Sequence, residues 1–332
     1  MLTARLPRTY DPEPLRRDLD ALRSIPKLPQ AGPYHNGEWA GVALYEQGGV
    51  LEPGPLDRLQ PHRPTPALDL APALARVLDD IPSPKLLVRL LTLPPGGRIG
   101  EHRDVGVGFA VGRLRLHVPV VTDPAVVMMI GAERTHWRPG ELWWGDFSQP
   151  HWLRNDSAVT RTHLVADVEV NPALLRLLPL DLLFAHDGGP GGMTLHRPPL
   201  ASVGEEDLVP FAGVFTLPAV VRPLLGHGAR LTELARPARV ELRPRGDRLV
   251  AHIDEEPVFA MYRLDARTFA VVGSPQGLLF CFDDERTPHQ VQLVVRGLPR
   301  DLFAAQLGRL RGELVPEQRF PLAFHSLSKV EG

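Results

Sequence analysis

The chain has 332 residues, 43% hydrophobic and 23% charged, with a formal net charge of −2. That length exceeds one ordinary domain and suits two, and the near-neutral balance gives no reason to expect nucleic acid or an anionic membrane as partner. A single cysteine, Cys281, excludes an intrachain disulfide; with an N-terminus that lacks an apolar leader and no run of about 18 apolar residues, it points to a cytoplasmic protein.

Residues 14–24 carry Leu15, Leu19 and Leu22 at helical spacing and predict a short amphipathic helix. Residues 37–45 read as a strand, and Leu68 to Asp80 as a second helix stopped before Pro82. From Lys85 to about Val170, short β-rich runs alternate with turns, which predicts a sandwich or small barrel. Leu174 to Phe184 is apolar and helical in pattern, with Pro179 interrupting it, and the glycine- and proline-rich stretch from His186 to Pro199 is the best linker. A second β pattern follows Asp207. It reads as a small antiparallel sheet of about five strands, with a hairpin turning at Gly246-Asp247 and a closing helix over Leu302 to Leu310. The expected organisation is a domain over residues 1–190, a linker over 191–206 and a β-rich accessory domain over 207–332. The 36 prolines are read as turns between strands.

The chemistry is concentrated in the first domain. His102-Arg103-Asp104 is answered by His151, 47 residues after Asp104, and by Arg161, ten residues later. In an extended strand, residues i and i+2 point to one face, so His102 and Asp104 can aim at one point. Two imidazoles and a carboxylate are the ligand set that holds Fe(II) on one side and leaves the other positions open. A guanidinium binds a carboxylate through two parallel bonds, so Arg161 suits 2-oxoglutarate. Each of these residues alone reads more simply as solvated or surface; their combination is what carries the reading. In Arg113-Leu114-Arg115-Leu116-His117-Val118, strict alternation puts Arg113, Arg115 and His117 on one face. That face is either the solvated side of an edge strand or the lining of a barrel that meets a carboxylate-bearing substrate. The remaining histidines, His163 among them, form no ligand-like cluster and read as structural or exposed, and Cys281 reads as core. A nucleophile elbow, a phosphate-binding loop, a CxxC pair and paired dinucleotide-binding glycines are all missing.

Five separated motifs occur in order: His102-Arg103-Asp104, Arg113 to His117, Trp137-Arg138-Pro139-Gly140, Asp146 to His151, and Arg161 to Asp167. Together they resemble the aspartyl/asparaginyl β-hydroxylase family, which includes bacterial proline cis-hydroxylases. Gly37-Glu38-Trp39 and Pro66-Ala67-Leu68 look like further matching segments, and the resemblance spans roughly residues 35 to 172. It implies a double-stranded β-helix, a cupin-like jelly roll, using Fe(II) and 2-oxoglutarate. His102, Asp104 and His151 would be the iron ligands and Arg161 the co-substrate anchor assisted by His117. Arg115, with Arg113 on the same face, would meet the substrate. Asp104 completes the ligand triad, as in the bacterial branch. The implied reaction is hydroxylation, by O2, of an aspartyl or asparaginyl residue in a peptide or of a free amino acid such as proline. The alternative is a cupin-like module that binds metal and turns nothing over. Oligomeric state is left open.

Overall fold

The computed structural model describes residues 1–30, 35–36, 39–186, 193–222, 236–274, 277–299 and 314–327. The chain divides into two compact units, Met1–Pro53 with His62–Leu195, and Gly54–Pro61 with His196–Gly332.

The first unit is built from β1 (Thr3–Thr9), β2 (Leu28–Pro29), β3 (Ala40–Gln47), β4 (His62–Pro64), β5 (Lys85–Leu93), β6 (Arg98–His102), β7 (Arg113–Val121), β8 (Val126–Ile130), β9 (Glu133–Thr135), β10 (Glu141–Gly145), β11 (His151–Asn155) and β12 (Arg161–Glu169). The larger sheet runs β1-β10-β7-β12-β5-β3-β2, with β4 added beside β3, and the smaller runs β6-β11-β8-β9. All pairings are antiparallel. This is the jelly roll expected from the alternating β runs.

Alternation along each strand assigns its two faces. Leu114, Leu116 and Val118 of β7 join Leu164, Ala166 and Val168 of β12 in the core that the helices cover. The opposite face carries Arg113, Arg115, His117, Arg161 and His163 and lines the interior. Trp144 belongs to the helix-side core, while its neighbour Trp143 packs inside with Trp137 and Phe147.

Proline and capping explain where the helices depart from expectation. The first spans Pro12–Ala21, with Asp11 accepting from Glu13 N at its N-cap and a 3-10 turn, Leu22–Ser24, at its end. The segment expected as one helix from Leu68 to Asp80 is two, Pro66–Asp69 and Pro72–Asp80, because Pro72 lacks the N–H that a continuous helix needs. The second of these starts at Ala71, which has no capping side chain; Asp18, from the first helix, accepts instead from Leu74 N at 2.7 Å. The predicted helix over Leu174–Phe184 is likewise broken at Pro179, into Pro172–Leu175 and Leu180–His186. β1 gave no sequence signal, since only Ala4 and Leu6 alternate inward.

The second unit corrects the expected five strands. It contains β13 (Gly213–Leu217), β14 (Ala238–Arg245), β15 (Arg248–Ile253), β16 (Glu256–Arg263), β17 (Thr268–Val271), β18 (Leu278–Phe282), β19 (Gln290–Pro299), β20 (Leu314–Ala323) and β21 (His325–Ser326), each paired antiparallel to the next in one sheet, with β21 returning to β13. β20 and β21 are separated by Phe324 alone, so one chain segment holds both edges of the meander and closes it into a barrel. Phe211, Phe215, Phe259, Phe269, Phe280, Phe282 and Phe324 fill the interior. The β14–β15 hairpin turns at Gly246-Asp247 as expected, with Gly246 at φ 61° in the first central position. The expected helix over 302–310, Gly37-Glu38 and part of the linker lie outside the described residues. Among the described residues no helix is long and apolar enough to cross a membrane.

Candidate metal centre

β6 ends at His102 and β11 begins at His151, and the two residues are direct cross-strand partners. Their rings lie 4.2 Å apart, centroid to centroid. His102 Nδ1 donates to Gly100 O at 2.8 Å and His151 Nδ1 donates to Gln149 O at 3.0 Å. A carbonyl oxygen only accepts, so each Nδ1 carries the hydrogen and each Nε2 is left with a lone pair. Burial pushes the His151 pKa down to about 4, opposed by Asp104, so this imidazole is neutral at pH 7.

Asp104 does not share a strand with His102 as the i, i+2 argument supposed, because β6 has already ended. The loop brings it in, pinned by Asp104 N donating to Phe147 O at 2.9 Å. Its Oδ1 lies 3.6 Å from His102 Nε2 and 3.9 Å from His151 Nε2. The three potential ligand atoms all fall within 4.8 Å of one another. Asp104 Oδ2 accepts from Arg115 Nη1, and Arg115 is bonded on its other side by Asp167.

Arg161 opens β12 and lines the same pocket, together with His117, Trp39, Leu91 and Val165. The Arg161 side chain is buried at 3% exposure. Its one hydrogen bond is from Nη2 to His163 Nδ1 at 2.7 Å, and its Nε has no partner. No carboxylate lies within ion-pair distance of it among the described residues. Desolvation accordingly drags its pKa down to about 9, with no charged neighbour offsetting it. His163 accepts through Nδ1, from Arg161 and with His117 Nδ1 3.4 Å away, so as a neutral ring its hydrogen is on Nε2, which is buried and unpaired, like Trp137 Nε1. His117 and His163 are both held well below the usual imidazole range, first by burial and then by the Arg161 charge. A buried cation beside orphaned N–H donors is costly unless an anion satisfies it. A carboxylate fits that description, and two imidazole lone pairs with one carboxylate oxygen fit a divalent transition metal.

The structure thus brings His102, Asp104, His151, Arg115, His117 and Arg161 around one pocket. His163, expected to be structural, belongs with them; its place two residues after Arg161 on an inward face was the available signal. Arg113 is half-buried on the same face of β7, and the charges of Asp167 and Glu169 act on it. The sequence reading also passed over Arg89 on β5, which shares a cross-strand row with Val165 and His117 and hydrogen-bonds Gln30 Oε1.

Residues 11–171 match the family described as Aspartyl/Asparaginyl beta-hydroxylase. No curated protein matches the chain. Among solved structures, TT1209 from Thermus thermophilus is 25% identical, with 26% of this chain and 73% of that one covered, at a TM-score of 0.21. A 2OG-Fe(II) oxygenase family oxidoreductase from Burkholderia pseudomallei is 13% identical, covering 50% of this chain and 84% of its own, at a TM-score of 0.36. A prolyl-4-hydroxylase from Pseudomonas putida is 13% identical, covering 50% and 91%, at a TM-score of 0.33. These likenesses are loose, and the weight rests on the family match and the side-chain geometry.

Proposed function

We propose that this protein, whose residues 11–171 belong to the aspartyl/asparaginyl β-hydroxylase family of 2-oxoglutarate-dependent hydroxylases, holds Fe(II) through His102, Asp104 and His151. Arg161, with His117 and His163, would hold the distal carboxylate of 2-oxoglutarate. The observation that carries this reading is the pairing, in one pocket, of a convergent His-Asp-His set with a buried arginine that has no carboxylate of its own.

Fe(II) with 2-oxoglutarate and O2 supplies the oxidising power to hydroxylate an unactivated C–H bond. The protein supplies binding, orientation and exclusion of water. The Nδ1 bonds of His102 and His151 aim both Nε2 atoms inward. Arg161 offers a charge-assisted donor pair at a fixed depth, and His163 holds one edge of that guanidinium in place. Trp39, Leu91, Ile99 and Val165 supply apolar lining.

For substrate, the reading is a carboxylate-bearing amino acid or peptide: an aspartyl or asparaginyl residue, or a free amino acid such as proline. Support comes from the charge on the inner face. Arg89, Arg113 and Arg115 approach one another closely enough to interact electrostatically, and Asp167 and Asp104 are already engaged by Arg115. Arg113, on which Asp167 and Glu169 act, and Arg89 are the proposed substrate anchors on this face.

The experiment is anaerobic addition of Fe(II) and 2-oxoglutarate to the full chain, watching for the weak visible charge-transfer band of a chelated keto acid. The band should form, and Asp104→Ala should abolish it. Slow succinate formation in air without substrate would separate an enzyme from a metal-binding module that turns nothing over. A folded protein that gives neither signal refutes the proposal.

A further inference from the structure

The two oxygens of Asp104 face different surroundings. Oδ1 looks toward the imidazoles of His102 and His151, while Oδ2 is taken by Arg115 Nη1. The opposite edge of the same guanidinium is gripped by a second carboxylate: Arg115 Nε donates to Asp167 Oδ1 at 2.7 Å and Nη2 donates to Asp167 Oδ2 at 2.9 Å. Asp167 is 2% exposed and sits directly across from Arg115 in the β7–β12 ladder. Burial opposes its charge, yet Arg115 prevails, through charge and hydrogen bond, and holds the carboxyl below its usual range.

We propose that Arg115 and Asp167 form a brace that fixes the orientation of Asp104, so that one oxygen alone is presented to a metal held with His102 and His151. This rests on the iron-site reading above and reassigns Arg115. The sequence reading made Arg115 a substrate anchor, but its charge is already shared between two carboxylates, which makes it a poor anchor for a third. The need for a brace follows from the backbone. Asp104 lies in a loop beyond the end of β6, where its side chain could turn to offer both oxygens. A carboxylate bound through both oxygens would occupy an extra coordination position, the space a bidentate keto acid requires. With Oδ2 committed to Arg115, His102, Asp104 and His151 would each offer one atom to a metal, leaving its other positions for co-substrate. The planar fork of arginine allows one side chain to hold two carboxylates at fixed angles, which an ammonium cannot reproduce.

The test is the dissociation constant for Mn(II), measured on the full chain without co-substrate by the electron paramagnetic resonance signal of free Mn(II). Partners that orient metal ligands are worth roughly 10–100-fold in affinity, so Arg115→Met should weaken Mn(II) binding within that range. Arg115→Lys, which keeps the charge without the fork, should fall between it and the unmodified protein. Asp167→Asn should also weaken binding although it touches no ligand, and it carries the comparison if Arg115→Met does not fold. A role confined to packing would lower the thermal midpoint and leave the Mn(II) constant of the folded protein unmoved. Unmodified protein that binds Mn(II) alongside a folded variant within twofold of it overturns the brace and leaves the metal site standing. Unmodified protein that binds no Mn(II) overturns both.

Discussion

Arg161→Met should stabilise the protein in the absence of ligand while abolishing its response to 2-oxoglutarate. Arg161 is a buried cation whose pKa desolvation lowers from the usual guanidinium range to about 9. At ~1.4 kcal/mol per pH unit, a depression of that size sets a penalty of about 5 kcal/mol against the charged form. The sign follows from proton counts. Above pH 9 the unfolded chain binds more protons than the fold, so stability would rise with pH there, and at pH 7 the fold carries the whole penalty. Methionine removes the charge at similar length but deprives His163 Nδ1 of its donor, a loss of about 1–3 kcal/mol. The net expectation is a gain of about 2–4 kcal/mol, at least roughly 4 °C in Tm for a unit of this size. All five tryptophans, Trp39, Trp137, Trp143, Trp144 and Trp152, lie in the first unit, so tryptophan fluorescence during a thermal scan reports that unit. Adding 2-oxoglutarate with Mn(II) should raise the midpoint of the unmodified protein, by about 2.7 kcal/mol at a hundred times Kd, beyond the effect of Mn(II) alone. In the variant the co-substrate should add nothing. A variant that melts below the parent without ligand would show that the fold already compensates Arg161, and the argument for a waiting carboxylate site would collapse.

Acid should destabilise the first unit well above the carboxylate range. His62 is held at about pKa 4, chiefly by burial, and His117 and His163 lie well below 6.5. Below pH 6.5 the unfolded chain takes up protons that the fold refuses, so stability falls as pH falls. The urea midpoint should drop between pH 7.5 and 5, with a limiting slope of about 5 kcal/mol per pH unit once His151 is counted with these three; a flat profile would show that these imidazoles are not buried neutral. Gly140→Ala should cost about 2 kcal/mol or more, since Gly140 has φ +80° and its added methyl would be driven into the Tyr10 carbonyl oxygen; melting within a degree of the parent would refute the close approach. Phe280→Ala, in the middle of the second unit's core, should cost about 3–5 kcal/mol by circular dichroism. If the units unfold separately, the tryptophan transition will stay in place; its shifting in parallel would show that they unfold together.

The strands of the jelly roll were legible because a half-buried strand writes its two faces into alternate residues, as β7 does from Arg113 to Val118. The candidate site was legible because His102, Asp104, His151 and Arg161 are residue types whose chemistry is specific in combination. Proline positions carried the breaks at Pro72 and Pro179 in plain view, although the apolar periodicity around them argued for continuous helices. Beyond faces and types, tertiary structure decided. Spacing tells which way Arg115 points but not that Asp167, 52 residues later, will lie across the ladder from it and compete for its charge. His163 looked inert because part of its setting comes from His117, which reaches it only when β12 and β7 pair. In the second unit each strand advertises its apolar face locally. The closure of the barrel depends instead on β20 and β21 running on through Phe324 to opposite edges of the sheet, a long-range pairing that no local pattern encodes. One-dimensional pattern records what each residue requires of its surroundings; only the folded chain determines which residues supply it.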